Sequence, residues 1–130
     1  MRKPSHLLLI VLFSLTSIFL VSFPAWADVP TVTLQGSEEV RSGQPFSITF
    51  NIRHKGNNFI HHVSKLVIFV DGKEEKVWEY NWRTHPKEEN WSISYQLTLK
   101  EKATVSAIAT CNLHGPSKEA TLLVVPRPSD

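Results

Sequence analysis

The chain has 130 residues, with 14 Lys and Arg against 12 Asp and Glu, six His, one Cys and 42% hydrophobic residues. That length suits a single domain, and the apolar share excludes a disordered chain. One cysteine excludes a disulfide framework and any zinc knuckle built from paired Cys-x-x-Cys.

Taken in chain order, Met1-Arg2-Lys3 is followed by an apolar and small-residue run from Leu7 to Phe23, then Pro24 and Ala25-Trp26-Ala27. This is the pattern of a secretory signal peptide cut after Ala27. The competing reading is an uncleaved anchor, because the run is just long enough to cross a bilayer. The expected organisation is a signal peptide over residues 1–27, one domain over 28–125 and a flexible tail over 126–130. The mature chain then carries 12 basic and 12 acidic residues. Its net charge of zero gives no electrostatic support for nucleic-acid binding, and no membrane contact is expected after cleavage. The expected location is exported, periplasmic or secreted. A lone cysteine exported in this way either stays a free thiol or is given to a metal.

The mature chain reads as all-β. Thr31–Leu34 is a short first strand, and Gly36, Gly43 and Pro45 punctuate the passage to Phe46, Ile48, Phe50 and Ile52, which alternate with polar residues. Val63–Val70 is an apolar run interrupted at Ser64 and Lys65, and Asp71-Gly72 signals a hairpin into Glu75–Tyr80. Trp91, Ile93, Tyr95, Leu97 and Leu99 form the clearest period-2 run; Glu101-Lys102 then turns the chain into Ala103–Cys111, and Ala120–Val125 follows. No stretch has helical periodicity. Seven short strands predict an antiparallel seven-stranded immunoglobulin-like β-sandwich. Trp82 and Trp91 are expected to pack on its core.

If successive strands alternate in direction, the connections at 54–62, 81–90 and 111–118 lie at one end, together with the mature N-terminus. His54, His61 and His62 fall in the first, His85 in the second, and Cys111 and His114 in the third. Every mature histidine and the only cysteine thus share one end, in loops, where binding groups concentrate. Imidazoles with one thiolate make a borderline-soft donor set that suits iron, copper or zinc rather than calcium or magnesium. Cys111-x-x-His114 alone is a weak motif, since a strand-end Cys is commonly a small buried hydrophobe. In an extended His61-His62 pair the side chains face opposite ways, so only one can meet a given ion. Lys55, Arg83, Lys87 and Lys118 in these loops can attract an anion, but Glu88 and Glu89 accompany them, and the simpler reading is a solvated charged rim.

Three pieces of the sequence carry a family likeness. Cys111-Asn112-Leu113-His114-Gly115 resembles the Cys-Asn-x-His-Gly of the superoxide reductases of desulfoferrodoxin and neelaredoxin type. His61-His62-Val63 through Val70-Asp71-Gly72 is similar, without a gap, to that family's His-His-Ile stretch and hairpin. Ser42-Gly43-Gln44-Pro45-Phe46 resembles the segment opening its second strand. The resemblance implies an immunoglobulin-like domain holding one mononuclear non-haem iron between four histidines and an axial cysteine. It implies Cys111, His114 and His61 as ligands, and, if the site is intact, reduction of superoxide to hydrogen peroxide with an unidentified electron donor.

The departures lie in the remaining ligands. The family places a His-Pro six residues before the position of His61, whereas here His54 lies seven before and is followed by Lys55; it carries over as the fourth ligand. The family's first histidine and its superoxide-attracting lysine align with Asp28 and Ala27. Asp28 and His85 are reserve ligands. Two other classes stay open: a copper electron-transfer protein, although the usual axial Met is absent because Met1 is the only methionine, and a non-enzymatic sulfur-carrier-type partner module with a degenerate metal site. Zinc is a further possible occupant.

Overall fold

The computed structural model describes residues 28–128; the expected signal peptide and the last two tail residues lie outside the described residues. Among the described residues nine β-strands form two sheets: β1 (Thr31–Gln35), β2 (Glu39–Arg41), β3 (Pro45–Arg53), β4 (Val63–Val70), β5 (Lys73–Glu79), β6 (Asn90–Thr98), β7 (Ala103–Cys111), β8 (Gly115–Pro116) and β9 (Ala120–Arg127). The smaller sheet has the order β1-β3-β6, and the larger runs β2-β9-β7-β4-β5 with β8 paired to the end of β7.

The all-β expectation therefore holds at the level of class. The expected seven antiparallel strands correspond to β1, β3, β4, β5, β6, β7 and β9. Two short strands add to them, and one pairing, β2 with β9, is parallel. The same pairing carries β9 through Pro126 to Arg127, into the stretch expected to be a flexible tail. Pro126 lacks an amide donor, but its partner is a three-residue strand at the sheet edge, where that loss is tolerated.

Period-2 alternation explains the core. In β3, Ile48, Phe50 and Ile52 point inward and are buried, while Ser47, Thr49 and Asn51 alternate with them. They meet Val63, Leu66 and Ile68 of β4, Val105, Ala107 and Ala109 of β7, and Val124 of β9. Trp91 packs against this cluster from β6, whereas Trp82 is exposed, with the Arg83 guanidinium 4.3 Å from its ring centroid. β4 slips register between Val63 and Lys65. This bulge absorbs the polar Ser64 and lets Val63 and Leu66 both reach the core; bulges of this kind re-aim the chain beside sites. At the far end, Asp71 and Gly72 both have positive φ, as a tight hairpin requires.

Candidate metal centre

The same alternation delivers two donors. His54 follows Ile52 by two residues and keeps its inward direction past the end of β3; it is 1% exposed. Its amide donates to the Glu89 carbonyl at 2.8 Å, adding a rung beyond the Arg53–Asn90 pair. Cys111 is the next inward residue after Val105, Ala107 and Ala109 on β7, and is 2% exposed. β3 and β7 belong to different sheets, so an imidazole and a thiol emerge from opposite walls at the same open end.

Loops bring in the rest. Asn58 closes the β3–β4 connection: its Oδ1 accepts from the amides of Ile60 and His61, both at 2.8 Å, and its own amide donates to the His61 carbonyl. Asn112 ties this loop to the end of β7. Its amide donates to the His62 carbonyl, its Oδ1 accepts from the His62 amide, and its Nδ2 donates to the Ile60 carbonyl. Gly115, at φ 88°, turns the chain back so that His114 returns beside Cys111.

One donor atom from each of His54, His61 and Cys111 lies within 4.8 Å of the others. His114 adjoins this group through two members: its Nδ1 is 3.0 Å from His61 Nε2 and 3.7 Å from Cys111 Sγ. The His54 and His61 ring centroids are 4.6 Å apart, and those of His61 and His114 4.7 Å. Two imidazole nitrogens ligating one ion at about 2.1 Å and at right angles stand about 3.0 Å apart, so the His61–His114 spacing suits a shared ion. Burial, followed by the positive potentials of His54 and His114, holds the His61 imidazole below its ordinary range; a backbone hydrogen bond at Gly56 and the Asp28 carboxylate act the other way.

The decisive atom is His54 Nε2. It is buried and has no hydrogen-bond partner among the described residues, while Nδ1 of the same ring is 2.7 Å from Asn57 Oδ1. An orphaned buried lone pair is costly in a protein interior unless something binds it. With two further imidazoles and a thiol alongside, the residues present fit a first-row transition ion.

The other histidines are placed elsewhere. His62 turns away: its Nδ1 is 3.1 Å from the Asn58 carbonyl oxygen, and its ring stacks on His85 at 5.2 Å. His85 Nδ1 in turn is 2.9 Å from the Pro86 carbonyl oxygen. The reserve ligand His85 thus pairs with His62 rather than joining the Cys111 group. Asp28 lies close enough to act on the charge of His61 and lines a small cleft with Arg53 and Lys55. Asn57 and Asn58 were not singled out by the sequence; the one available signal was a run of small and amide residues, Gly56-Asn57-Asn58, between two histidines.

The sequence matches the desulfoferrodoxin family over residues 26–119, most of the chain. The chain belongs to the desulfoferrodoxin family. No curated protein sequence matches it. Among solved structures it is similar to a superoxide reductase (neelaredoxin) variant from Ignicoccus hospitalis, at 20% identity and TM-score 0.58 over 79% of this chain and 83% of that one. It is similar as well to a putative superoxide reductase from Thermotoga maritima, at 17% identity and TM-score 0.55 over 80% and 88%. A CARDB domain from Pyrococcus furiosus, solved with di-metal ions, matches at 15% identity and TM-score 0.55 over 78% and 94%. At these identities the structural likenesses establish the two-sheet fold alone.

Proposed function

We propose that this desulfoferrodoxin-family chain holds one iron through His54 Nε2, His61 Nε2, His114 Nδ1 and Cys111 Sγ, at the end of an immunoglobulin-like sandwich. We further propose that it is exported and reduces superoxide to hydrogen peroxide. The observation that carries the reading is the buried, partnerless Nε2 of His54 beside His61 and Cys111. Family membership supports iron and superoxide, and the Met1-Arg2-Lys3 start with its apolar run supports export. Among the described residues no helix is long and apolar enough to cross a membrane.

A ferrous ion held by these residues would supply one-electron reducing chemistry: superoxide, one electron and two protons from water would give hydrogen peroxide, with an external one-electron reductant closing the cycle. The chain's own residues prepare that chemistry. The Cys111 thiolate would hold the ion and donate electron density to it, as thiolate ligands do in haem sites. His54 and Cys111 close the inner side against water, while His114 is exposed and leaves an outer approach. Arg53 and Lys55 line a cleft of about 160 Å³ with Asp28; Arg53 is paired with Glu89 at 3.2 Å, which leaves Lys55 as the cation that attracts an arriving anion.

The test is a superoxide pulse on protein loaded anaerobically with Fe(II). A reductase forms one hydrogen peroxide per superoxide and releases no dioxygen. Decay no faster than spontaneous dismutation, or dioxygen released with half the peroxide, contradicts the proposal. A protein that takes up no iron would instead be a partner module with a retired site.

A further inference from the structure

We propose that Asn57 is the positioning residue for His54: its side-chain amide fixes the imidazole as the Nδ1–H tautomer and thereby frees the Nε2 lone pair for the metal. This rests on the metal-site reading above and assigns a role to a residue outside the donor set.

The tautomer follows from hydrogen-bond bookkeeping around one amide. Asn57 Oδ1 lies 2.7 Å from His54 Nδ1 and 3.2 Å from the amide nitrogen of Val63, which is only a donor. Asn57 Nδ2 lies 2.9 Å from the Glu88 carbonyl oxygen and 3.4 Å from that of His54, which are only acceptors. Exchanging the amide's oxygen and nitrogen would set an NH₂ against an N–H and an oxygen against two carbonyls. The amide orientation is therefore fixed by backbone groups, independently of the histidine. An amide oxygen cannot donate, so the proton of this contact sits on His54 Nδ1. A neutral imidazole has only one ring proton, and Nε2 is left as a bare lone pair in a buried place with no partner among the described residues.

The loop's geometry explains why this is needed. His54 lies seven positions before His61, Lys55 rather than a proline follows His54, and Gly56 at φ 78° adds freedom. Asn57 removes that freedom by gripping both ends of the connection, the His54 carbonyl and the Val63 amide, and by tying them to Glu88 of the neighbouring loop. Partners that orient a ligating histidine through its second nitrogen typically change metal affinity by about 10–100-fold when lost.

The test reads the tautomer directly, by long-range proton–nitrogen NMR on the metal-free protein at pH 8, where an imidazole is neutral. Wild type should show His54 as the Nδ1–H form. Asn57→Asp, which keeps an acceptor for that proton, should preserve it; Asn57→Ala should shift it to Nε2–H or to a mixture. Wild-type His54 as Nε2–H, or an Asn57→Ala protein that keeps a pure Nδ1–H ring, overturns the proposal. Should the Ala variant fail to fold, the wild-type and Asp spectra still decide. Co(II) titration is the second arm: Asn57→Ala should weaken binding about 10–100-fold and Asn57→Asp by much less. Equal losses in both variants would reduce Asn57 to a loop tether and overturn the proposal. If wild type takes up no Co(II), the metal-site reading fails, and the NMR arm alone still decides the role of Asn57.

Discussion

Each donor's environment makes a separate demand at the residue scale. His61 meets His114 through Nε2, while His62 is spent on the Asn58 carbonyl and on stacking with His85. His61→Asn should therefore cost far more Co(II) affinity than His62→Asn, as read by titration; the reverse order would mean that the loop register differs by one residue. His61 also carries the pH dependence. Burial and its two histidine neighbours depress its folded-state pKa below the unfolded value of about 6.5. The neutral ring's stabilising contribution is thus complete above about 6.5 and lost as pH falls through the lower folded value. Denaturation of the metal-free protein across pH 4–8 should show that loss, and His61→Asn should flatten it. An unchanged slope would assign the loss to other groups.

At the element scale, the turn between β7 and β8 sets the distance from Cys111 to His114. Gly115 has φ 88°, and a Cβ there meets nothing within 4 Å. Gly115→Ala should therefore cost only backbone strain, about 1–2 kcal/mol, but it should also lower Co(II) affinity by displacing His114. Gly72, at φ 76° with equally open surroundings, lies in the hairpin at the opposite end. Gly72→Ala should show a similar loss in chemical denaturation with metal affinity unchanged. Equal affinities in the two variants would detach the turn from the site. The long strands were legible because inward Ile48, Phe50 and Ile52, or Val105, Ala107 and Ala109, declare a period of two that runs on to His54 and Cys111. The short strands were not. Glu39–Arg41 and Gly115–Pro116 have no pattern of their own; they become strands because β9 offers its outer side to the first and β7 runs past its pairing with β9 to meet the second. Pro126 looked like a tail for the same reason. Asn57 and Asn58 escaped notice because an amide's role depends on which backbone groups the folded loop sets around it.

At the scale of the whole molecule, two sheets hold one end open, and three connections close over it to assemble donors from β3, β7 and their loops. Asp28 enters at this end and influences His61, in the place where the family resemblance expects a histidine. Replacing it by that ligand type, Asp28→His in the chain starting at residue 28, should raise iron retention during dialysis against a chelator; unchanged retention would mean that this position does not face the ion. The proposed function depends on Cys111 and the three histidines holding a single transition ion. The most direct measurement is the iron content and visible spectrum of anaerobically purified protein after mild oxidation, for wild type and Cys111→Ser. Wild type should hold about one iron per chain and show a visible sulfur-to-metal band that is lost in a folded Cys111→Ser protein. A wild type without metal, or a serine variant with the same metal content and the same band, would contradict it.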